Sequence, residues 1–401
     1  MELAIFGAKP RFEKAQPVGF PLVESETERR FHELVDEAFR RNYLTNDGPL
    51  VRRLEDEIAS RHKCAHAAFM ANATLAQLML MKALGLESGA VVVSADTFIS
   101  TAHVCEWSGL TPVFADLDPD TLTLDPEEIV RLAGPDAKAV IPTHVFGVLA
   151  DMPRIMELSR ARGLQVVVDA AHAFDCDRDG VSPGGFGAPE FLSFHATKFF
   201  STFEGGAVLT NDEGLAKAMR DLRNFGFAGV DDVRALGINA KGSEISAAFG
   251  LASLPALAER RERLRAVHDA YDRELAGVPG LRRHRLDRFG RNNHRYYAVF
   301  VDPEYGAGRD TAVWALWHDN VLARRYFYPG AHRMAYYRDR TAYRNVSLPA
   351  TDKALGSIIA LPTAFDGIDW RDGVRGVSEI LKTIHERAED AEARRRSFSG
   401  G

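Results

Sequence analysis

Between residues 74 and 210 the chain alternates between stretches whose apolar residues recur at helical spacing and short apolar runs bounded by turn residues. The alternation predicts helices over about Thr74–Leu84, Ser100–Trp107, Pro126–Leu132 and Met152–Arg162. Between them it predicts strands at Val91–Ser94, Pro112–Asp116, Ala139–Pro142 and Gln165–Asp169, with two more at Phe191–Phe194 and Ala207–Thr210. Parallel neighbours need a crossover, usually a helix, so strands interleaved with helices imply a mainly parallel sheet covered on both faces. The expected fold class is α/β, built on an αβα sandwich.

Other stretches frame this region. Phe31, Leu34, Val35 and Phe39 mark a helix over Glu24–Arg41, and a second is expected over Pro49–Arg61, with the turn-rich Tyr43-Leu-Thr-Asn-Asp-Gly-Pro49 between them. After Gly250 the character shifts. Ala256–Leu275 reads as one long charged helix with Pro255 suited to its first turn, followed by a strand at Tyr296–Val301, a helix over Thr311–Leu322 and an amphipathic segment from Gly373 to Arg387. With 401 residues, the chain is too long for one ordinary core. The expected division is a large domain over 1–250, including the N-terminal segment, and a smaller α+β domain over 251–401.

Composition excludes several classes. A hydrophobic fraction of 46% with 26% charged residues belongs to a globular chain, not a disordered one. No apolar run approaches the roughly 20 residues needed to span a bilayer, and the first ten residues lack the pattern of a signal peptide, so a cytoplasmic protein with no membrane partner is expected. A net charge of -6 gives no general attraction to nucleic acid, and Arg394–Arg396 reads as the solvated end of an Arg- and Glu-rich helix. Cys64, Cys105 and Cys176 have no metal-ligand spacing and cannot all pair, so they read as buried thiols, with neither a disulfide framework nor a metal site expected.

Chemistry concentrates at two of the predicted strand tips. Asp169 ends the run Val166-Val-Val-Asp169, while Ser193 and Lys198 lie in Phe191-Leu-Ser-Phe-His-Ala-Thr-Lys198. Ligands of parallel α/β sheets bind outside the carboxyl ends of the strands, so both tips are expected to open onto one pocket. An amine able to form a Schiff base, a carboxylate able to keep a pyridine nitrogen protonated and a hydroxyl for a phosphate together equip a site for pyridoxal 5'-phosphate. Each residue also has a plainer reading. Lysines are mostly surface charges, Asp169 could be satisfied by backbone amides, and His172 could be a core histidine. Asn72-Ala73-Thr74 precedes an apolar helical run, where it is either a helix cap or a phosphate site made of open amides and the Thr74 hydroxyl. Phe98, after the strand Val91–Ser94, is either core or a flat surface for a cofactor ring.

The runs that carry chemistry also carry a family likeness. Tyr43-Leu-Thr-Asn-Asp-Gly-Pro49, Asn72-Ala-Thr74, Pro112-Val-Phe-Ala-Asp-Leu-Asp-Pro119 and Ile141-Pro-Thr-His-Val-Phe-Gly147 occur in the family's order. Asp169-Ala-Ala-His172, Ser193-Phe-His-Ala-Thr-Lys198, Glu204-Gly-Gly206 and Gly237-Ile-Asn-Ala-Lys-Gly-Ser-Glu244 continue it. Over most of its length the chain resembles the DegT/StrS family of nucleotide-sugar aminotransferases, of the fold-type I pyridoxal phosphate superfamily. The resemblance implies that Lys198 is the Schiff-base lysine and moves the proton, that Asp169 pairs with the pyridinium, and that His172 sits near the ring with Phe98 stacked on it. It assigns Ala73, Thr74 and Ser193 to the phosphate. It places Asn239 in a stretch reaching across from a partner subunit, which implies a homodimer with shared sites. Two departures stand out: the family more often has Asn-Gly-Thr in place of Asn72-Ala-Thr74, and Arg-Met in place of Lys241-Gly242.

Within the family these runs, with Arg223-Asn-Phe-Gly-Phe-Ala-Gly229 and Arg324-Arg-Tyr-Phe-Tyr-Pro-Gly-Ala-His332, look like the branch that aminates 4-keto-6-deoxy sugars. The implied reaction passes an amino group from L-glutamate to the 4-keto carbon of dTDP-4-keto-6-deoxyglucose. Thr45, Asn46, Arg324, Tyr328 and His332 are the candidate substrate contacts. The alternatives are a 3-keto or other keto sugar, or a pyridoxal-phosphate-binding regulatory protein without turnover. A related sugar dehydratase would have histidine at the position of Lys198, and a cysteine desulfurase would need an exposed reactive cysteine.

Overall fold

The computed structural model describes residues 2–285 and 288–399. Its principal element is one continuous sheet with the strand order Leu110–Ala115, Gly89–Ser94, Ala137–Ile141, Gln165–Asp169, Glu190–Ser193, Gly206–Thr210 and His66–Met70. Gln165 and Val166 pair with Ala139 and Val140 on one side, and Val168 and Asp169 pair with Glu190 and Phe191 on the other. Val167 N–H and Asp169 N–H donate to the carbonyls of Val140 and Pro142, each at 3.0 Å, which joins the two halves into one strand. Gly206–Thr210 runs antiparallel to both its neighbours, and the other pairings are parallel.

Runs such as Val91-Val-Val93 are apolar without alternation because helices cover both faces. Val91, Val93 and Ile141 pack on one side with the helix Ala73–Ala83, while Val92, Val140 and Val168 pack on the other with Met152–Ala161. Chain structure and packing thus agree with the expected α/β sandwich. Several elements escaped the sequence pattern. His66–Met70 is fully apolar after its first residue and lies beside the sheet's antiparallel strand. Glu244–Ser253 is buried almost all round, so small residues such as Ala247, Ala248 and Gly250 replace a polar face and erase the helical period. Glu213–Leu222, which buries Ala216, Met219 and Leu222, starts at Asp212, whose side chain accepts Leu215 N–H at 2.9 Å.

A second core lies around the antiparallel strands Leu281–Arg283, Tyr297–Val301 and Ile358–Leu361. Helices Leu257–Glu274, Arg309–His318 and Trp370–Glu386 cover one side, and Leu3, Ile5 and Phe12 from the start of the chain pack into the same cluster. The alternate residues Tyr296, Ala298 and Phe300 face the other way, against Val145 and Phe146 of the first core. The expected helix Thr311–Leu322 stops at His318, because Asp319 caps it and Asn320 turns left-handed at φ 60°. Val321 and Leu322 then pair with Gln16 and Pro17. Among the described residues, no helix is long and apolar enough to cross a membrane.

Candidate active site

A cavity of about 350 Å³ opens where the carboxyl ends of the parallel strands meet the second core. The central strand delivers Asp169 and the turn after it His172, its neighbour delivers Ser193 and, on the following loop, Lys198, and the start of the helix Ala73–Ala83 closes one end. Tyr296, Arg324, Tyr326 and Phe327 form the opposite wall.

Asp169 is only 3% exposed, and its charge is met by hydroxyls and an amide. Its Oδ2 accepts Thr101 Oγ1–H at 2.6 Å and lies 3.3 Å from Thr97 Oγ1, while its Oδ1 accepts Ala171 N–H at 3.0 Å. Thr143 Oγ1 donates to Thr97 Oγ1 at 3.1 Å, which extends the chain of hydroxyls one residue outward. These donors fix the direction of the carboxylate toward the cavity it lines.

Lys198 Nζ points to Tyr296 Oη at 3.5 Å and has no carboxylate partner among the ion pairs of the described residues. Burial lowers its pKa to about 8, with Asp169 opposing the shift and Arg295 assisting it. The lysine is therefore a far better nucleophile and base near neutral pH than a surface lysine. Arg295, 1% exposed, donates from Nε to the carbonyl of Thr197 at 2.8 Å and from Nη2 to that of Phe20 at 2.7 Å. It thereby holds the residue before the lysine while placing a buried positive charge nearby; burial lowers its own pKa to about 10.

His172 Nδ1 accepts the Phe146 N–H at 3.2 Å, which leaves the proton of the neutral ring on Nε2. Burial, and then the nearby Lys198, push its pKa well below the usual histidine value, so the ring stays neutral. Tyr296 and Phe327 flank it with ring centroids 4.4 and 5.8 Å away.

The helix start resolves the double reading of Asn72-Ala73-Thr74, because the two roles fall on different groups. Asn72 is extended and its Oδ1 accepts Leu75 N–H at 2.9 Å, making it the cap. The first amides, at Ala73 and Thr74, have no partner within the helix and line the cavity with the Thr74 hydroxyl and Ser193. Gly206 makes room for this arrangement. A Cβ there would stand 2.6 Å from Ala73 N and 2.8 Å from Leu192 O, so only glycine lets this strand and helix start approach so closely.

The expected site residues separate into groups. Ala73, Thr74, Phe98, Asp169, His172, Ser193, Lys198 and Arg324 all line the cavity. Phe98 is 59% exposed and meets Phe327 edge-on at 6.2 Å. Tyr328 lies outside the cavity, along a groove that adjoins it. His332 does not reach either, contrary to expectation: it is buried against Phe114, with Nε2 3.2 Å from Asp352 Oδ1. Thr45, Asn46 and Asn239 also fall outside this chain's cavity, on an outer face described below. Tyr296, Tyr326, Phe327, Thr97, Thr101 and Arg295 were not anticipated as site residues. Tyr296 directly precedes a strand expected from sequence, but only the packing of the second core on the first turns it toward Lys198.

Cys64 is half-buried and Cys105 and Cys176 are buried, and burial pushes the Cys64 thiol up to about 11, which removes the reactive thiolate a desulfurase would need.

The model of the DegT/DnrJ/EryC1/StrS aminotransferase family matches residues 25–367. The chain belongs to this family. It is 30% identical over 355 residues to a dTDP-4-amino-4,6-dideoxy-D-glucose transaminase of Escherichia coli, covering 88% of this chain and 95% of that one. GDP-perosamine synthase of Escherichia coli O157:H7 is 28% identical over 332 residues, 79% of this chain and 89% of that protein. The crystal structure of DesI in the presence of its TDP-sugar product superposes with a TM-score of 0.92, at 38% identity over 98% of this chain and 99% of that one. The fold is accordingly that of fold-type I aminotransferases, and the chain is an aminotransferase by family.

Proposed function

We propose that this aminotransferase uses pyridoxal 5'-phosphate to move an amino group from L-glutamate to a keto sugar carried on a nucleoside diphosphate. The favoured acceptor is the 4-keto carbon of dTDP-4-keto-6-deoxyglucose. The observation that carries the reading is the convergence of the Lys198 amine, the Asp169 carboxylate and the open helix start at Ala73 and Thr74 on one cavity. The relatives named above act on, or bind, sugars linked to dTDP, TDP or GDP, and the highest identity among them belongs to the structure with a TDP-sugar.

The donor set fits the cofactor. Ala73 N–H, Thr74 and Ser193 would hold its phosphate, Asp169 its ring nitrogen, Phe98 and His172 its ring, and Lys198 its aldehyde carbon. When bound, the cofactor supplies an electron sink that lowers the cost of removing a proton from the carbon bearing the amine. The chain's own residues do the rest. Asp169, its carboxylate fixed by the Thr101 hydroxyl and the Ala171 amide, would face the ring nitrogen and pair with it. Lys198 Nζ, uncharged above about pH 8 and held by the loop Arg295 braces, would take the proton from the substrate carbon. Neutral His172 offers an N–H without adding positive charge to the cavity.

Thr45, Asn46 and Asn239 enter this proposal through a homodimer whose partner completes each cavity. Val230, at 93% exposure, and Leu236, at 79%, stand on the same outer stretch as Asn239, with Phe225, Val233 and Ile238 also exposed. Apolar groups concentrated in this way favour burial against another protein surface.

The direct test is the absorption of the protein loaded with pyridoxal phosphate, before and after L-glutamate. Bleaching of the yellow band, followed by its return on adding the keto sugar, is the expected result. Lys198→Ala is expected to bind the cofactor yet lose turnover by about a thousandfold or more. Full activity in that variant would remove the central assignment, while turnover confined to a 3-keto isomer would correct only the ring position.

A further inference from the structure

Two consecutive residues at the edge of the second core meet two consecutive residues of the first. Arg295 Nε donates to the Thr197 carbonyl at 2.8 Å, and Tyr296 Oη accepts from Lys198 Nζ at 3.5 Å. The pair 295–296 is itself fixed. The Arg295 carbonyl accepts Thr363 Oγ1–H at 2.9 Å, its N–H donates to Asn293 Oδ1 at 3.0 Å, and the strand Tyr297–Val301 follows directly. The Tyr296 ring, 5% exposed, packs against His172, Phe146 and Tyr326 with centroids 4.4, 5.5 and 6.2 Å away. A ring packed on three sides has little room to turn, so the phenol is the fixed member of the contact and the four-carbon lysine side chain the adjustable one.

Among the described residues no other side chain hydrogen-bonds Lys198 Nζ. Burial raises the Tyr296 phenol to about 12, so near neutral pH its oxygen keeps its proton and remains available as an acceptor. An uncharged primary amine has two N–H bonds and one lone pair, and rotation about Cε–Nζ decides which of them faces the substrate. One N–H donated to a fixed oxygen removes much of that freedom. A base whose lone pair is already directed has less orientational entropy to lose on the way to the transition state. At 3.5 Å the contact is long, and catalytic hydrogen bonds of this kind often tighten only when substrate is bound.

We propose that Tyr296 is a catalytic residue whose hydroxyl orients the free amine of Lys198, both for attack on the cofactor aldehyde and for proton removal from the substrate carbon. The inference rests on the reading of Lys198 as Schiff-base lysine and base, and it adds a group from the second core to the reacting atoms. In the first step a carbon–nitrogen bond forms to Nζ, and both amine protons leave with the aldehyde oxygen as water. In the second the proton passes from the substrate carbon to Nζ, while the electron pair of the C–H bond goes to the electron sink the cofactor supplies. Tyr296 gains and loses no proton in either. Its hydroxyl holds the direction of Nζ, as Arg295 holds the backbone beneath it.

The test compares the unmodified protein with Tyr296→Phe, which removes one oxygen and keeps the ring. The first readout needs no turnover: capture of pyridoxal phosphate by the cofactor-free protein, followed by the rise of the yellow band well above pH 8, where the amine is uncharged. Loss of one orienting hydrogen bond is expected to slow capture about tenfold. The second is bleaching of the loaded enzyme by L-glutamate, expected to slow by a similar factor with the half-saturating glutamate concentration unchanged. Deuterium at C2 of the glutamate should then slow the variant more than the unmodified enzyme, because proton removal has become the slower step. Capture and bleaching at unmodified rates in a folded variant would overturn the proposal. So would a change confined to the half-saturating concentration, which would make Tyr296 a substrate contact; in both cases the reading of Lys198 stands. If the unmodified protein itself neither captures the cofactor nor bleaches, the reading of Lys198 falls and this inference with it. Should Tyr296→Phe melt early, both rates are measured for the two proteins at a lower temperature where the variant is still native.

Discussion

The floor of the cavity and the outer face around residues 43–48 and 225–241 both carry residues expected from sequence to serve the site, and they are built in opposite ways. On the floor, Asp169 and Ser193 sit on buried strands and their polar atoms face neighbours within the same chain. On the outer face, Thr45, Asn46 and Asn239 are exposed and stand among exposed apolar side chains. Yet this face is firmly rooted. Arg223, buried, donates from Nη2 to Asp47 Oδ1 at 2.7 Å and from Nη1 to the Phe69 carbonyl at 2.6 Å, with Glu55 completing the ion cluster. Asn239 bridges to Asn224 beside it, and Leu44 accepts the Glu244 N–H. A surface rooted by buried ion pairs but finished with bare apolar side chains suits the partner surface proposed above, whereas the polar groups of the floor are met within the chain.

Each half of that contrast can be broken separately. The largest effect is expected at the floor. Asp169→Asn keeps an acceptor for Thr101 but removes the negative charge, and turnover is expected to fall on the order of a hundredfold or more with little change in melting temperature. Near-normal kcat in a folded variant would mean that the carboxylate is structural only. A smaller change is expected at the outer face. Leu236→Asp places a charge in the proposed dimer surface, and sedimentation should show the mass fall by half, with activity lost although the floor is untouched. An active monomer would dissociate the outer face from the site. The smallest effect concerns the electrostatics of Lys198. In the cofactor-free protein, the rate of pyridoxal phosphate capture is expected to rise with pH through about 8, and Arg295→Gln should move that rise upward, because a buried positive charge that disfavours protonation is gone. The sign for stability follows: the unfolded lysine keeps its proton to about pH 10.4, so between about 8 and that value the unfolded chain binds more protons and the folded protein gains stability as pH rises. A capture profile that rises only near pH 10 would show the amine to be solvated.

Much of the floor was legible because strand tips and helix starts are local features. Asp169 follows an apolar run, Asn72-Ala73-Thr74 precedes one, and the topology of parallel sheets brings such points to one edge. Long-range packing was not legible. Tyr296 and Arg295 reach Lys198 only because the second core turns alternate residues of one strand toward the first. His332 misled because its run has aromatic and basic character fit for a ligand. Phe114 and Asp352, distant in sequence, instead enclose it. The helix Glu244–Ser253 escaped for the same reason, since burial on every side is decided by neighbours that no local period records.

The one strand that runs against its neighbours has a consequence for movement. Ser193 pairs with Gly206, Phe194 N–H donates to the Gly205 carbonyl at 2.8 Å, and Thr202 N–H donates to the Phe194 carbonyl at 2.9 Å. The segment that carries Lys198 is therefore stitched shut at its base, like the neck of a purse. The loop that carries Lys198 is anchored at both ends, so its reach into the cavity is left to its four-carbon side chain.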